Sequence, residues 1–140
     1  MKVVLDTNVF VSGVFFSGPP HQILQAWRGG KVQLVMSPEI LDEYVRVGEE
    51  LGEQFPAVDL SPVLELVTLN AEMVSPVESP ESICEDPDDD KFFLCAISAR
   101  CKMIVSGDKH LLVKSGYGGV QVLKPREFIG KCFHKSPPET

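Results

Sequence analysis

The sequence predicts an α/β fold with a mainly parallel central sheet, and two observations carry that prediction. Short apolar runs alternate along the chain with longer segments of helical periodicity, which is the pattern of strand–helix–strand units. Two of these runs, at 3–5 and 103–105, are each followed by an aspartate, Asp6 and Asp108. Because ligand sites in open α/β sheets lie outside the carboxyl ends of the strands, this recurrence also predicts a functional site.

The N-terminal half of the chain is predicted to contain two strands and three helices. The apolar run at 3–5 suits a strand buried on both faces, and the glycines and prolines between 13 and 20 indicate a loop after it. Ser37-Pro38 and Ser61-Pro62 each combine a helix-capping serine with a proline at the first helical position. The predicted elements are a strand at 3–5, a helix at 21–28, a strand at 32–36, a helix from 38 to about 48 or 52, and a helix from 61 to about 73.

The C-terminal half continues the alternation after a segment rich in Pro, Ser and Glu at 75–87, which indicates a loop. A weak strand before it contains Pro76, which suits the edge of a sheet. We predict one domain at 1–133 and a flexible tail at 134–140. The remaining predicted elements are a strand at 73–77, a helix from the aspartates at 86–90 to about 102, a strand at 103–105, a short helix at 109–114, a strand at 120–123 and a helix from 125.

Composition narrows the class of protein. No apolar run is long enough to span a membrane, the four cysteines include no CxxC pair, and only three histidines are present. These features predict a cytoplasmic protein with reduced thiols and argue against a zinc site. The net charge of −7 is unevenly distributed, because residues 91–140 hold nine Lys and Arg against three acids, and residues 1–90 hold four against seventeen. A basic surface for phosphates beside an acidic pocket is therefore permitted, although solvated faces would give the same composition.

Several carboxylates have a reason to converge near the ends of the strands. Asp6 and Asp108 end strands that could be neighbours, Glu43 lies in the helix after the second strand, and aspartates at 86, 88, 89 and 90 open a later helix. Aspartates at a helix start are favoured by the helix dipole, but four within five residues exceed what capping requires. Oxygen ligands without His or Cys suit Mg²⁺ or Mn²⁺, and such an ion can activate water for attack on a phosphodiester.

Four segments together resemble the PIN-domain nucleases, in particular the prokaryotic branch related to VapC-like toxins of toxin–antitoxin pairs. The segments are Val-Val-Leu-Asp-Thr-Asn at 3–8, Ser-Pro-Glu-Ile-Leu-Asp-Glu at 37–43, Asp-Pro-Asp-Asp-Asp-Lys-Phe at 86–92 and Val-Ser-Gly-Asp-Lys at 105–109. The resemblance covers about residues 1–130 and implies a three-layer α/β/α sandwich with metal-dependent endoribonuclease activity. Matched by position, the acidic quartet that binds metal and catalyses cleavage would be Asp6, Glu43, Asp89 and Asp108.

The resemblance also implies a supporting set of residues and partners. Asn8 and Ser106 match polar residues that shape the pocket, and Lys109 is a candidate contact to RNA, although surface solvation explains Lys109 equally well. The expected cofactor is Mg²⁺ or Mn²⁺, and the expected partners are RNA, a small antitoxin protein and a second copy of the chain, with no membrane. The third acid is open between Asp89 and Asp90, since apolar residues follow each at helical spacing; the Asp-Pro-x-Asp pattern starting at Asp86 favours Asp89.

We therefore predict a metal-dependent endoribonuclease that is the toxin component of a toxin–antitoxin pair. Asp6, Asp89 and Asp108 would hold one or two ions, while Glu43 would bind a second ion or orient the attacking water. Two alternatives remain at the level of sequence. One is a catalytically silent domain of the same fold that binds RNA or protein, and the other is a receiver-like phosphoacceptor domain, which would need an acidic pair at the end of the first strand.

Overall fold

A five-stranded parallel sheet forms the centre of the protein, as seen in a computed structural model that describes residues 1–76 and 82–132. The strands lie in the order β3-β2-β1-β4-β5, and every neighbouring pair is parallel. The predicted α/β class with a parallel sheet is confirmed. The strands are β1 at Lys2–Leu5, β2 at Gln33–Met36, β3 at Glu72–Met73, β4 at Met103–Val105 and β5 at Gln121–Leu123.

Helices flank this sheet, as expected for a three-layer α/β/α sandwich. Helix α5 packs against β1, β2 and β4, while α1 contacts α2 and α3, and α2 contacts α7. No helix in the described part of the chain is long and apolar enough to cross a membrane. The helices are α1 at Thr7–Phe15, α2 at Pro19–Arg28, α3 at Pro38–Gln54, α4 at Ser61–Asn70, α5 at Asp90–Ser98, α6 at Lys109–Leu112 and α7 at Pro125–Cys132.

The centre of the core is organised around β1, whose apolar side chains are almost fully inaccessible to solvent. Phe10 on α1 stacks on Tyr44 of α3, with ring centroids 4.2 Å apart and planes within 5°. The Tyr44 hydroxyl donates a hydrogen bond of 2.5 Å to the carbonyl oxygen of Leu5. These contacts fix the start of α1 and the first turns of α3 against the carboxyl end of β1. They consequently bring Glu43 to the same edge of the sheet as Asp6.

The prediction of a loop directly after β1 was wrong, because residues 7–15 form α1. The Asp6 carboxylate caps this helix by accepting a hydrogen bond of 2.8 Å from the Val9 amide. Burial of Val9, Phe10 and neighbouring side chains outweighs the weak helix propensity of the β-branched residues. Gly13 is a packing residue and not a loop marker, since a Cβ there would lie 2.8 Å from both Leu24 and the Pro20 carbonyl.

Several element boundaries also differ from the prediction. Helix α2 begins at Pro19, α4 ends at Asn70 and not near 73, and α5 ends at Ser98 and not near 102. At the end of α5 the chain turns away through Arg100, which has a left-handed φ of 57°. Strand β3 is confined to Glu72–Met73, and part of the predicted 75–87 loop and the predicted tail at 134–140 lie outside the described residues.

Candidate active site

A small acidic cavity lies at the carboxyl ends of β1 and β4, where the sequence placed a site. It measures about 180 Å³ and its lining includes the carboxylates of Asp6, Glu43, Asp88, Asp89 and Asp108. A larger cavity of about 710 Å³ lies among Trp27, Pro62, Leu66 and the starts of β1 and β2, and no Asp, Glu, His or Cys of the described part of the chain lines it. The chemistry of the lining, and not cavity size, therefore selects the candidate active site.

Asp6 is the most enclosed of these carboxylates, with 5% of its surface exposed. One oxygen accepts the hydrogen bond from the Val9 amide, and the other accepts a very short hydrogen bond from the Ser106 hydroxyl. Burial raises the pKa of Asp6 to about 6, and the negative charges of Asp108 and Asp89 add to this effect against the two hydrogen bonds. Asp6 is thus a carboxylate whose ionised form is costly unless a cation lies nearby.

Ser106 joins the ends of the two strands that carry the aspartates. Its buried hydroxyl donates to Asp6 and accepts a hydrogen bond of 2.9 Å from the Asp108 amide. Asp108 in turn caps α6 by accepting a 2.8 Å hydrogen bond from the His110 amide. Both aspartates are therefore oriented by the backbone of the helix that follows them, and Ser106 links the Asp6 carboxylate to the Asp108 backbone.

Asp89 and Asp90 point to different surroundings, which separates the two candidates for the third acid. Asp89 lines the cavity, and its pKa is raised first by burial and then by the charges of Asp108 and Asp86. The Asp90 carboxylate instead accepts hydrogen bonds from the amides of Ile83 and Cys84, at 3.1 and 2.7 Å. The geometry places Asp89 with Asp6 and Asp108, and gives Asp90 a tethering contact to the preceding segment.

Glu43 reaches the cavity from α3, but protein donors already engage both of its oxygens. Oε1 accepts a very short hydrogen bond from the Thr7 hydroxyl, while Oε2 lies 3.2 Å from Lys91 Nζ and 3.5 Å from an Arg46 guanidinium nitrogen. Lys91 also pairs with the Asp88 carboxylate at 3.0 Å. Burial disfavours the ammonium, but its contacts with Asp88 and Glu43 outweigh this and raise the pKa of Lys91. Lys91 is therefore a buried, paired cation.

Among the predicted supporting residues, Asn8 is exposed and lines the cavity. Lys109 is also exposed and follows Asp108 directly, but its side chain is not part of the lining. Thr7 and Lys91 were not predicted from sequence. Lys91 lies between the aspartates and two buried phenylalanines, and a lysine in that position gives no sign that it will be buried with its partners.

The PIN domain family model matches residues 2–110, which span every acidic segment of this cavity. The chain belongs to the PIN domain family. A PIN-domain assignment also agrees with the parallel sheet and its flanking helices. The chain is also 30% identical, over 147 aligned residues, to the uncharacterized protein MJ1680 of Methanocaldococcus jannaschii; the match covers 92% of this chain and 90% of that protein. PIN domains are generally a nuclease fold and typically depend on metal ions, whereas the relative adds no specific role.

The donor set of this PIN domain fits a hydrated hard cation. Within residues 1–76 and 82–132, no three His, Cys, Asp or Glu side chains are arranged to hold a metal ion directly. Mg²⁺ is commonly bound through only one or two carboxylates and retains several waters, so a directly bonded cluster of three is not required. Asp6, Asp89 and Asp108 line one cavity, where burial and, to a lesser extent, neighbouring carboxylates raise the pKa values of Asp6 and Asp89. A cation bound there would favour the ionised carboxylates.

The raised pKa of Asp6 predicts that the metal-free PIN domain loses stability as the pH rises from about 4 to 6. In that interval the folded protein holds a proton that the unfolded chain has released, so unfolding becomes easier as the pH increases. The rise in the pKa of Asp6 from 3.8 to about 6 corresponds to a loss of about 3 kcal/mol in the free energy of unfolding across this interval. Urea denaturation in EDTA, at pH values from 4 to 7, gives the free energy of unfolding at each pH. This free energy should depend less on pH in Asp6→Asn than in the wild type. An equal pH dependence in the two proteins would contradict a raised pKa of Asp6.

Proposed function

We propose that this PIN domain is a metal-dependent endoribonuclease that hydrolyses RNA phosphodiester bonds. The observation that supports this most strongly is the shared cavity of Asp6, Asp89 and Asp108, in which burial first, and then the charges of neighbouring aspartates, raise the pKa values of Asp6 and Asp89. Those three side chains would hold Mg²⁺ or Mn²⁺, directly or through water. Glu43 forms another part of the same wall and would orient the attacking water.

The protein side of the proposed reaction is mainly orientation. When bound, the cation would lower the pKa of a water molecule and stabilise negative charge on the phosphate. Ser106 and the Val9 amide hold Asp6 in place, and the His110 amide does the same for Asp108. Asn8 at the cavity wall is available to contact the substrate. Ser106 is buried and bonded to Asp6, so it is not accessible as a covalent nucleophile, which agrees with direct attack by water.

Basic residues at the same edge of the sheet would position the RNA backbone. Lys109 follows Asp108 and Lys124 follows β5; both are exposed, and β4 and β5 end at the same edge because they are parallel. The negative charge of residues 1–90 would keep RNA away from the α3 side of the cavity. We therefore place the RNA path over the β4–β5 half of the protein.

The Lys109→Ala variant should bind RNA several-fold more weakly at low salt and lower the slope of log Kd against log salt concentration by about 0.7. The matched control is Lys102→Ala, since Lys102 is also exposed but precedes β4 and so lies at the opposite edge of the sheet. Fluorescence anisotropy with a labelled single-stranded RNA, measured in EDTA to prevent cleavage, gives both quantities. Equal losses in the two variants would contradict the proposed RNA path.

We also propose that the protein is a toxin component acting in the cytoplasm, with a small antitoxin and a second copy of the chain as partners. Support for the toxin role is the likeness of the four acidic segments to VapC-like toxins. A protein encoded beside it should co-purify with the chain and suppress cleavage. The receiver-like alternative lacks its acidic pair, since β1 ends in the single carboxylate of Asp6, and the family assignment now argues against it.

One assay distinguishes an active nuclease from a catalytically silent domain of the same fold that only binds RNA. A mixed pool of RNA is incubated with the purified protein in Mn²⁺, in Mg²⁺ and in EDTA, and the products are mapped by sequencing their ends. The proposal expects cleavage that depends on the metal. Binding of the pool without cleavage under any of these conditions would favour a domain that only binds RNA.

A further inference from the structure

We propose that Lys91 is the built-in counter-ion of Glu43 and Asp88, and that it restricts the acidic cavity to one divalent cation, held by Asp6, Asp89 and Asp108 in part through water. The inference rests on the proposed function, because it concerns the same cavity. It decides between the two roles that the sequence left open for Glu43. Glu43 orients water and does not bind a second ion.

The placement of Lys91 is that of a fixed cation. Only 6% of the residue is exposed, and its ammonium group lies 3.2 Å from Glu43 and 3.0 Å from the Asp88 carboxylate. It also donates a 2.7 Å hydrogen bond to the Asp88 carbonyl oxygen and lies 5.0 Å from the centre of the Phe92 ring. These contacts fix the ammonium group of Lys91, so its positive charge stays at one position in the cavity wall, beside Glu43 and Asp88.

The carboxylates of the cavity therefore divide into two groups. Glu43 is held by cations, since Lys91 and Arg46 lie on one of its oxygens and the Thr7 hydroxyl lies on the other. Asp6 accepts hydrogen bonds only from neutral donors, the Val9 amide and the Ser106 hydroxyl. Among the described residues, no hydrogen bond engages either carboxylate oxygen of Asp89 or the Oδ2 atom of Asp108. A divalent ion at Asp89 and Asp108 would meet free oxygens. An ion at Glu43 would have to approach the positive charges of Lys91 and Arg46, which repel it.

A second groove, beside Glu43 and Asp88, explains why a cation is needed between these two carboxylates. It measures about 240 Å³, and Glu43, Asp88 and Lys91 belong to its lining together with Glu39, Asp42 and Arg46. These groups carry four negative charges against two positive ones. Without the Lys91 ammonium, the excess of negative charge in this groove would grow, and Glu43 Oε2 would lose its closest cation. A second divalent ion would then be favoured at Glu43 and Asp88.

Counting bound Mn²⁺ tests this inference without relying on activity. The protein is stripped with EDTA, dialysed and titrated with Mn²⁺ while free ion is measured by electron paramagnetic resonance. The wild type should bind one ion per chain. Lys91→Met, which keeps most of the length of the side chain without its charge, should bind a second ion. Lys91→Arg is the matched control that keeps the charge, and it should return the count to one.

Glu43→Gln provides an independent arm, because it leaves Lys91 in place and should still bind one ion. If Lys91→Met does not fold by circular dichroism, Lys91→Gln replaces it as a neutral variant that can still hydrogen bond. Two ions in the wild type, one ion in the folded neutral variants, or loss of the ion in Glu43→Gln would each overturn the inference while leaving a metal site. Absence of any ion in the wild type would instead contradict the proposed function.

Discussion

Asp6→Asn is expected to reduce metal-dependent RNA cleavage by about 1000-fold or more, which corresponds to roughly 4 kcal/mol of transition-state stabilisation. Asp6 is the carboxylate at the junction of β1 and α1, and it lines the same cavity as Asp89 and Asp108, whose charges interact with it. Removing the negative charge of Asp6 should weaken cation binding, because only two of the three proposed carboxylates remain. Single-turnover rates at saturating Mn²⁺ measure the loss.

The fold should survive this substitution. Asparagine is as good a helix cap as aspartate, so the contact with the Val9 amide can persist, and the cost of burying an ionised carboxylate disappears. Asp59→Asn is the matched control, because Asp59 also accepts a hydrogen bond from an amide at a helix start, that of Ser61, but does not line the cavity. Cleavage by Asp6→Asn at a rate close to that of Asp59→Asn would contradict a catalytic role for Asp6.

Asp89→Asn and Asp90→Asn are expected to have opposite effects on cleavage and stability. Asp89→Asn should abolish cleavage yet leave the metal-free protein as stable as the wild type or more so, since burial and neighbouring carboxylates raise the pKa of Asp89. Asp90→Asn should retain cleavage to within about tenfold. It should destabilise the protein by about 1–2 kcal/mol, because an amide cannot accept both hydrogen bonds that the Asp90 carboxylate takes from Ile83 and Cys84.

These two variants form their own control, since the substitutions are chemically identical and the positions are adjacent. Cleavage rates at saturating Mn²⁺ and urea midpoints in EDTA would be measured on both proteins. An inactive Asp90→Asn beside an active Asp89→Asn would mean that Asp90 is the third acid. A sharp loss of stability in Asp89→Asn would instead give Asp89 a structural role.

The strand-end aspartates could be placed from the sequence because parallel strands end at one edge. The short apolar run before Asp6 and the one before Asp108 identify buried strands, and β1 and β4 are indeed neighbours in the sheet. The family resemblance implied a pocket role for Ser106, although its hydrogen bonds to both aspartates could not be read from residue types. Local pattern was sufficient here because each acid lies within a few residues of the strand that positions it.

Contacts between distant segments were not accessible in this way. Helical periodicity could not choose between Asp89 and Asp90, since the choice depends on the turn at Pro87–Asp89 and on the segment that Asp90 tethers. The pairing of Lys91 with Glu43 joins α5 to α3, and the contact of Thr7 with Glu43 spans 36 residues. Such pairs depend on how helices pack, which residue spacing within one helix does not encode.

Helix α1 was missed for a related reason. The glycine at 13 and the β-branched residues around it argue locally for a loop or a strand. Their role becomes evident only when α2 lies against α1, because Gly13 permits the close approach of Leu24 and the Pro20 carbonyl. Tertiary burial of Val9 and Phe10 then stabilises a helix that propensity alone does not favour.

Binding of a divalent cation by the strand-end aspartates is the central claim, and calorimetry tests it most directly. Mn²⁺ is titrated into the EDTA-stripped, dialysed wild type and into the Asp6→Asn/Asp108→Asn double variant, in which asparagine preserves both helix caps. We predict saturable binding by the wild type and none by the double variant, with both proteins folded by circular dichroism. Equal Mn²⁺ binding by the two proteins would contradict the assignment of this cavity as the metal site.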